Sequence, residues 1–371
     1  MKKFLILTLI LFLIISCEDK NEAIVKDIDT LIEDEKFSLA HDKIRVKLEA
    51  KRASDEILSN KRPQNPRMLE VSNDRNRVVW TDDKQITFRD LANPLIKSLT
   101  FPEIPEMVSV SSEAEYAIVL FKLPNGVGCR MVNVSLIEPK PSYLSDTYVS
   151  CKNRSAVSSD GSSIYYFINE NLYEETLKDP KKPKLLVTKE RFESIYPNIK
   201  NRTHIFSIAK TFLIFFGNAG VYNLYWFNPK DNSITKLASE IITPKLYYGN
   251  GKNAFVLSGV VGSLVLREIK YTSYGEPNIS KGFSISYNEI NPFPTTKANE
   301  FISGKSGSIY KWGTTIKKRV YPIIAERFWV VARDYIIYEN NNKELILTST
   351  EFSPEDWKLL DLYKQVKQKS K

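Results

Sequence analysis

Val71-Ser72-Asn73-Asp74-Arg75-Asn76-Arg77-Val78-Val79-Trp80 aligns with Val110-Ser111-Ser112-Glu113-Ala114-Glu115-Tyr116-Ala117-Ile118-Val119, and both align with Val157-Ser158-Ser159-Asp160-Gly161-Ser162-Ser163-Ile164-Tyr165-Tyr166. In each copy a strand ends at Val, a Ser and an acidic residue turn the chain, and an apolar strand follows. Degenerate copies fall at Phe206 to Phe215, Tyr248 to Leu257, Thr295 to Ile302 and Glu326 to Tyr335. A unit recurring every 40 to 50 residues or so has the length of one four-stranded blade. Hairpin turns such as Asn169-Glu170-Asn171 and Asn228 to Asn232 sit where the next turn of a blade belongs.

The texture around these copies is uniform. From Pro63 and Pro66 to about residue 350, short runs rich in Val, Ile, Tyr, Phe and Trp alternate with Gly, Asn, Asp, Ser and Pro clusters, the pattern of many short strands. The expected fold is mainly β: a β-propeller of about seven four-stranded blades over 63–350, six larger blades being the alternative. Radial packing leaves few exposed edges once the last blade closes on the first. The segment Met68 to Val71 is expected to complete the blade containing Trp329 to Leu347. The third copy, with Ser159-Asp160-Gly161 ahead of Ile164-Tyr165-Tyr166-Phe167, resembles the TolB-type propeller repeat, in which a Ser-Pro-Asp-Gly turn precedes a strand ending in apolar and aromatic residues. Here Ser159 stands in the place of Pro and one copy alone keeps Asp-Gly; the Gly-His and Trp-Asp pairs of WD repeats are absent. The resemblance implies a TolB-like or WD-like fold and carries no function.

Both flanks read as helical. Ile24, Ile28, Leu31 and Ile32 share one face, Phe37, Ala40, Ile44 and Leu48 form a second stripe, and no Gly or Pro occurs between Cys17 and Arg62, which predicts helix from 18 to about 60. Leu31 to Ala40 resembles the turn and second-helix start of a tetratricopeptide repeat. One such unit cannot bury its own face, so a single helical hairpin over 17–62 is expected, docked on the main domain or on a partner; a plain amphipathic spacer is the alternative. At the other end Ser353 is placed as an N-cap, with Pro354 at the first helical position and Glu355 and Asp356 in the first turn. Trp357, Leu360, Tyr363 and Val366 follow on one face and Lys364, Lys367, Lys369 and Lys371 crowd the end. Residues 351–371 therefore read as an amphipathic helix with a basic tail, which docks as a cap or touches anionic lipid.

The first residues set the compartment. Met1-Lys2-Lys3 precedes an apolar run from Phe4 to Ile15, then Ser16 and Cys17. That is the layout of a secretory signal, and the run is too short for the roughly 20 residues of a spanning helix. Leu13-Ile14-Ile15-Ser16-Cys17 resembles the bacterial lipobox. The resemblance implies cleavage after residue 16, diacylglycerylation of Cys17, and usually acylation (palmitate among the chains) of the new amino group. A covalent lipid contributes about 0.8 kcal/mol per buried methylene, and stable anchoring needs more than one chain. The expected place is the cell envelope, held to the membrane by Cys17. Glu18 is a weak sorting signal that leaves the membrane open, with the outer favoured over the inner.

Loss of Lys2 and Lys3 with the leader takes the formal charge from +9 to about +7. The basic residues are interspersed with acidic ones, with no arginine-rich arm, so nucleic acid is not an expected partner. Cys129 and Cys151 remain as an even pair in an exported chain, either a disulfide or two buried thiols. There is no Gly-rich phosphate loop, no Gly-x-Ser-x-Gly elbow and no His-Glu-x-x-His helix. The two histidines, His41 and His204, read as structural, and Glu174-Glu175 and Asp82-Asp83 as solvated turn carboxylates. Neither a catalytic residue, nor a metal site, nor a cofactor beyond the lipid is expected. Tyr222, Tyr225, Trp226, Tyr247 and Tyr248 concentrate in the middle blades, where they serve as strand core or form a binding face. The leading functional expectation is a non-enzymatic scaffold that binds another envelope or host protein. The alternatives are a ligand- or carbohydrate-binding receptor or enzyme at the propeller channel, and a surface adhesin contacting host molecules.

Overall fold

The computed structural model describes residues 25–49, 55–65, 67–93, 95–193, 199–218, 220–260, 263–286, 291–295, 297, 299–305, 308–313, 319–324, 329–352 and 354–369. Cys17 with the lipobox, Glu326 and Ser353 lie outside the described residues.

Six antiparallel sheets follow one another along the chain. Sheet I holds Leu69–Val71, Arg77–Asp82, Gln85–Asp90 and Ile96–Thr100, and sheet II holds Met107–Val110, Tyr116–Lys122, Cys129–Ser135 and Lys140–Val149. Sheet III holds Ala156–Val157, Ser163–Ile168, Asn171–Thr176 and Asp179–Val187. Sheet IV has nine strands in two runs. The first is Arg202–Ile208, Thr211–Asn218, Val221–Asn228 and Ser233–Ile241; the second is Tyr247–Tyr248, Asn253–Val260 and Ser263–Lys270, the last flanked by Asn278–Ile279 and Phe283–Ile285. One pair, Ile241 with Ser258, joins the runs. Sheet V holds Phe293–Pro294, Glu300–Lys305, Ser308–Gly313 and Arg319–Ile324. Sheet VI holds Trp329–Ala332, Tyr335–Glu339, Leu345–Ser349 and, from the far end of the chain, Glu56–Ser59.

The leading strand of each sheet lies innermost. Leu69–Val71 packs beside Met107–Val110, that strand beside Ala156–Val157, and that one beside Arg202–Ile208; Tyr247–Tyr248 packs beside Phe293–Pro294, which packs beside Trp329–Ala332. Leu69, Arg154, Phe206, Leu246, Phe293 and Val330 line one common cavity, so the inner strands surround an axis. Apolar layers fill the spaces between neighbouring sheets. Phe88, Val119 and Phe121 sit between sheets I and II, Ile118, Met131 and Tyr166 between II and III, and Phe167, Phe216 and Phe227 between III and IV. A larger cluster containing Trp80, Tyr247, Phe301 and Ile337 runs through IV, V and VI back to I. Each such side chain contributes about 1.5–3 kcal/mol by leaving water.

The repeated motif is a hydrogen-bonded turn. Ser72, Ser111 and Ser158 each open it: their backbone N–H groups donate to the carbonyls of Arg77, Tyr116 and Ser163, and their hydroxyls accept from the backbone N–H of the same three residues at 3.0–3.2 Å. The fourth residue of each turn is left-handed: Arg75 (φ 62°), Ala114 (φ 51°) and Gly161 (φ 71°). Glycine at 161 meets a further demand, because a Cβ there would lie 2.4 Å from Cδ1 of Tyr116. Ala209, Gly251, Asn299 and Arg333 repeat the left-handed residue in the later inner turns.

The chain closes differently from the sequence expectation. Leu69–Val71 pairs with Arg77–Asp82 inside sheet I. The strand that completes sheet VI is Glu56–Ser59, with Glu56 opposite Leu347 and Ile57 opposite Ile346. It falls where helix was expected to run on to about residue 60. Four residues are too few to show an alternating pattern, so the helical spacing before them masked the strand. Buried polar contacts lock the closure. Thr348 Oγ1 donates to Asp55 Oδ1 at 2.6 Å. Arg67, fully buried, donates to Asp82 of sheet I at 2.8 Å, to Glu339 of sheet VI at 3.0 Å and to the Lys61 carbonyl at 2.8 Å.

The helices form one module. α1 (25–33), α2 (Phe37–Glu49) and α3 (Pro354–Lys369) bury Ile28, Ala40, Ile44, Leu360 and Val366 against each other. α2 and α3 rest on the strand Arg319–Ile324 of sheet V. The face that a lone hairpin leaves open is thus covered by the C-terminal helix.

Candidate functional site

The axis is plugged on one side by the first inner turn. Asn73 accepts from Gly251 N–H at 3.1 Å, its own N–H donates to the Ser112 carbonyl at 2.8 Å, and its side-chain amide donates to the Ser207 carbonyl at 3.2 Å. Arg75 donates to the Pro294 carbonyl. One turn of sheet I therefore touches sheets II, IV and V across the middle of the molecule.

Beside the plug lies a cavity of about 270 Å³ bounded by Glu70, Arg75, Arg154, Lys245, Tyr248 and apolar wall residues that include Phe206 and Phe293. Glu70 lies within the inner strand Leu69–Val71, Arg75 in the turn after it, and Arg154 and Lys245 each two residues ahead of an inner strand. Arg154 makes a two-pronged pair with Glu70, 2.6 and 2.9 Å, and lies 4.4 Å over the Phe206 ring. Burial works against the guanidinium charge but Glu70 outweighs it, holding Arg154 above its ordinary pKa. Arg75 is pulled down to about 10 by burial, opposed by Asp334 and Asp74. Lys245 has no such partner. Its ammonium sits 4.9 Å from the Phe293 ring centre and 5.2 Å from that of Tyr247. Burial lowers it to about 8, with Glu70 the only charge that opposes the shift. Lys245 nonetheless keeps surface open to water, so it faces the cavity rather than the packed core. Among the described residues no group of three His, Cys, Asp or Glu is placed to hold a metal ion.

A larger cleft, about 570 Å³, lies between the second run of sheet IV and sheet V. Of its three lysines, Lys270 lies 3.6 Å from Glu268, while Lys252 and Lys297 form no ion pair among the described residues; Glu300 on its wall pairs with Lys311. The axial cavity, where the inner strands converge and where Arg75, Arg154, Glu70 and Lys245 gather, is the candidate site.

The residues singled out from sequence are scattered. Cys129 and Cys151 are joined in a disulfide with Cα atoms 5.1 Å apart, tying the strand Cys129–Ser135 to the turn after Lys140–Val149. The aromatics do not make a binding face: Tyr222, Tyr225, Trp226 and Tyr247 are buried between sheets, because strands of this fold are covered on both sides. Tyr248 alone of the five reaches the cavity. Of the paired carboxylates, Asp83 is a turn residue as expected, half-buried and accepting from the Gln64 N–H at 2.6 Å, and the other three are engaged within the sheets. Glu174 accepts from Tyr165 at 2.8 Å, and Glu175, fully buried, accepts from Ser145 at 2.9 Å and Tyr166 at 3.1 Å. Asp82 is held by Arg67 and Trp80. His41 stacks on Tyr363 at 4.9 Å, and His204 stands edge-on to Tyr222 at 5.8 Å. Glu70, Arg154 and Lys245 were missed by sequence reasoning. Their one signal is a charged residue within a few positions of an inner-strand end that the repeat puts on the axis.

No protein-family model and no curated protein matches the chain. Solved structures do. The β-propeller domain of Cps50 (Swd1) from Myceliophteria thermophila aligns with 12% identity and a TM-score of 0.51, over 80% of this chain and 99% of that one. The fold is that of a β-propeller. An oligogalacturonate lyase in complex with manganese aligns with 10% identity and a TM-score of 0.47, over 77% of this chain and 89% of that one. Hydrazine synthase from Kuenenia stuttgartiensis aligns with 9% identity and a TM-score of 0.47, over 76% and 95%. At such identities the likeness concerns the propeller architecture alone.

Proposed function

We propose that this chain is a lipid-anchored protein of the cell envelope, outer membrane favoured, whose seven-bladed propeller acts as a non-enzymatic scaffold for another envelope or host protein. The anchor rests on the lipobox-like run ending at Ser16-Cys17. Among the described residues no helix is long and apolar enough to cross a membrane. The count of seven rests on the left-handed inner turns at Arg75, Ala114, Gly161, Ala209, Gly251, Asn299 and Arg333, and on the single pair that joins the two runs of sheet IV. The non-catalytic reading draws on the histidines, each packed on a tyrosine, and on Asp82, Glu174 and Glu175, each held by hydrogen bonds within its own surroundings.

The observation that carries the scaffold reading is the double lock on the ring: Glu56–Ser59 in sheet VI at the rim, and Asn73 across the axis. A body so tied offers a fixed surface, which keeps the entropy lost on association low. The test is purification from native membranes in mild detergent. Expected are an intact mass beginning at an acylated Cys17 and a stoichiometric partner that rebinds when both are purified. A chain still beginning at unmodified Met1 removes the anchor, and a chain that retains no partner removes the scaffold.

A further inference from the structure

We infer that the axial cavity is a binding site for a small oxyanion, a carboxylate or a phosphate, held by the ammonium of Lys245 with the hydroxyl of Tyr248 beside it. The charges in the cavity do not cancel where Lys245 stands. Glu70, the carboxylate on its wall, spends both oxygens on Arg154. Arg75 donates to the Pro294 carbonyl and is partly offset by Asp334 and Asp74. Lys245 makes only ring contacts, to Tyr247 and Phe293. Among the described residues neither its ammonium nor the Tyr248 hydroxyl has a hydrogen-bond partner. Lys245 is exposed, so its ammonium meets the water of the open cavity, and an anion beside it supplies the opposite charge that Glu70, engaged with Arg154, provides only in part.

Size and shape narrow the ligand. A volume of about 270 Å³ is room for roughly nine waters, enough for a short-chain carboxylate or inorganic phosphate and too little for a polymer. The Asn73 turn closes one side, so nothing threads through. The apolar wall of Leu69, Val71, Phe206, Phe293 and Val330 accommodates a short carbon stem. Binding is pH-dependent. The groups facing the site are Lys245, Tyr248, Glu70, Arg154 and Arg75. Both arginines stay charged and Tyr248 stays neutral near neutrality, so affinity falls as pH rises through about 8 and Lys245 gives up its proton.

This inference is independent of the scaffold reading, since either binding event survives the loss of the other. The test is thermal unfolding of the full-length protein in detergent at constant ionic strength, with acetate, lactate, inorganic phosphate or chloride as probe. Expected is a saturable rise of about 2 °C at ten times the dissociation constant, for acetate and lactate or for phosphate, which separates the two chemistries. Lys245→Met, which keeps an unbranched apolar stem on the rings, weakens that probe at least tenfold. Tyr248→Phe weakens it several-fold and takes over as the test where Lys245→Met does not fold. Equal stabilisation by chloride, no saturable rise with any oxyanion, or full binding by these variants overturns the inference.

Discussion

His204 shows how a side chain can be polar and still belong to the packing. It stands against Tyr222 near the guanidinium groups of Arg154 and Arg202, and burial, then those two charges, lower its pKa from 6.5 to about 4. The unfolded chain takes up a proton near pH 6.5 and the folded one only near 4. Stability therefore holds at neutral pH and is lost as pH falls through that window, by up to roughly 3 kcal/mol at pH 4. Urea midpoints measured from pH 7 to pH 4 are expected to fall less steeply in His204→Phe. At this scale the sequence was uneven in what it disclosed. The turn serines were readable because their partners lie within five residues, Ser72 with Arg77 and Ser158 with Ser163. Lys245 was not, because its surroundings, Glu70 and Phe293, are supplied by distant sheets.

Among the elements, the strands that announced themselves are those beside a Ser-turn, where a local hydrogen bond and an apolar run coincide. Glu56–Ser59 has neither, and what holds it is an agreement between ends of the chain that no local window contains. Arg67 is the measure of that agreement, since its guanidinium spans Asp82 and Glu339 with no exposure of its own. Removing it strands two buried carboxylates, and breaking a buried pair costs about 3–5 kcal/mol. Arg67→Met is expected to lower the urea midpoint accordingly. Arg67→Met with Asp82→Asn is expected to cost less than the sum of the single changes. The helices carry a related lesson. Ile28 and Ile44 were correctly placed on apolar faces, but the partner that covers them, α3, comes from more than 300 residues away.

For the molecule as a whole, the repeat spacing was enough to reach the architecture, because each blade is nearly self-contained in sequence and its inner turn repeats the same backbone device. The cavity lay beyond that reach: it exists only when the ends of several inner strands converge, and its chemistry is set by residues that each look incidental in their own repeat. The disulfide belongs to this scale through its effect on the unfolded chain. Cys129 and Cys151 are 22 positions apart, and opening such a loop costs about 3 kcal/mol in the chain-entropy picture. Reduction is expected to lower the unfolding free energy by that amount, read from urea titrations, and Cys129→Ser with Cys151→Ser to abolish the difference between oxidising and reducing buffer.

The pairing of Ile57 with Ile346 also sets a clock. Roughly 290 residues separate the partners, and at about 5–20 residues per second a ribosome needs some 15–60 s to deliver the second after the first. Through that interval Glu56–Ser59 has no mate, and a nascent chain that stalls before Ser349 is an open horseshoe with a bare edge. The seam thus forms only once both of its strands, almost the whole length of the propeller apart, are present together.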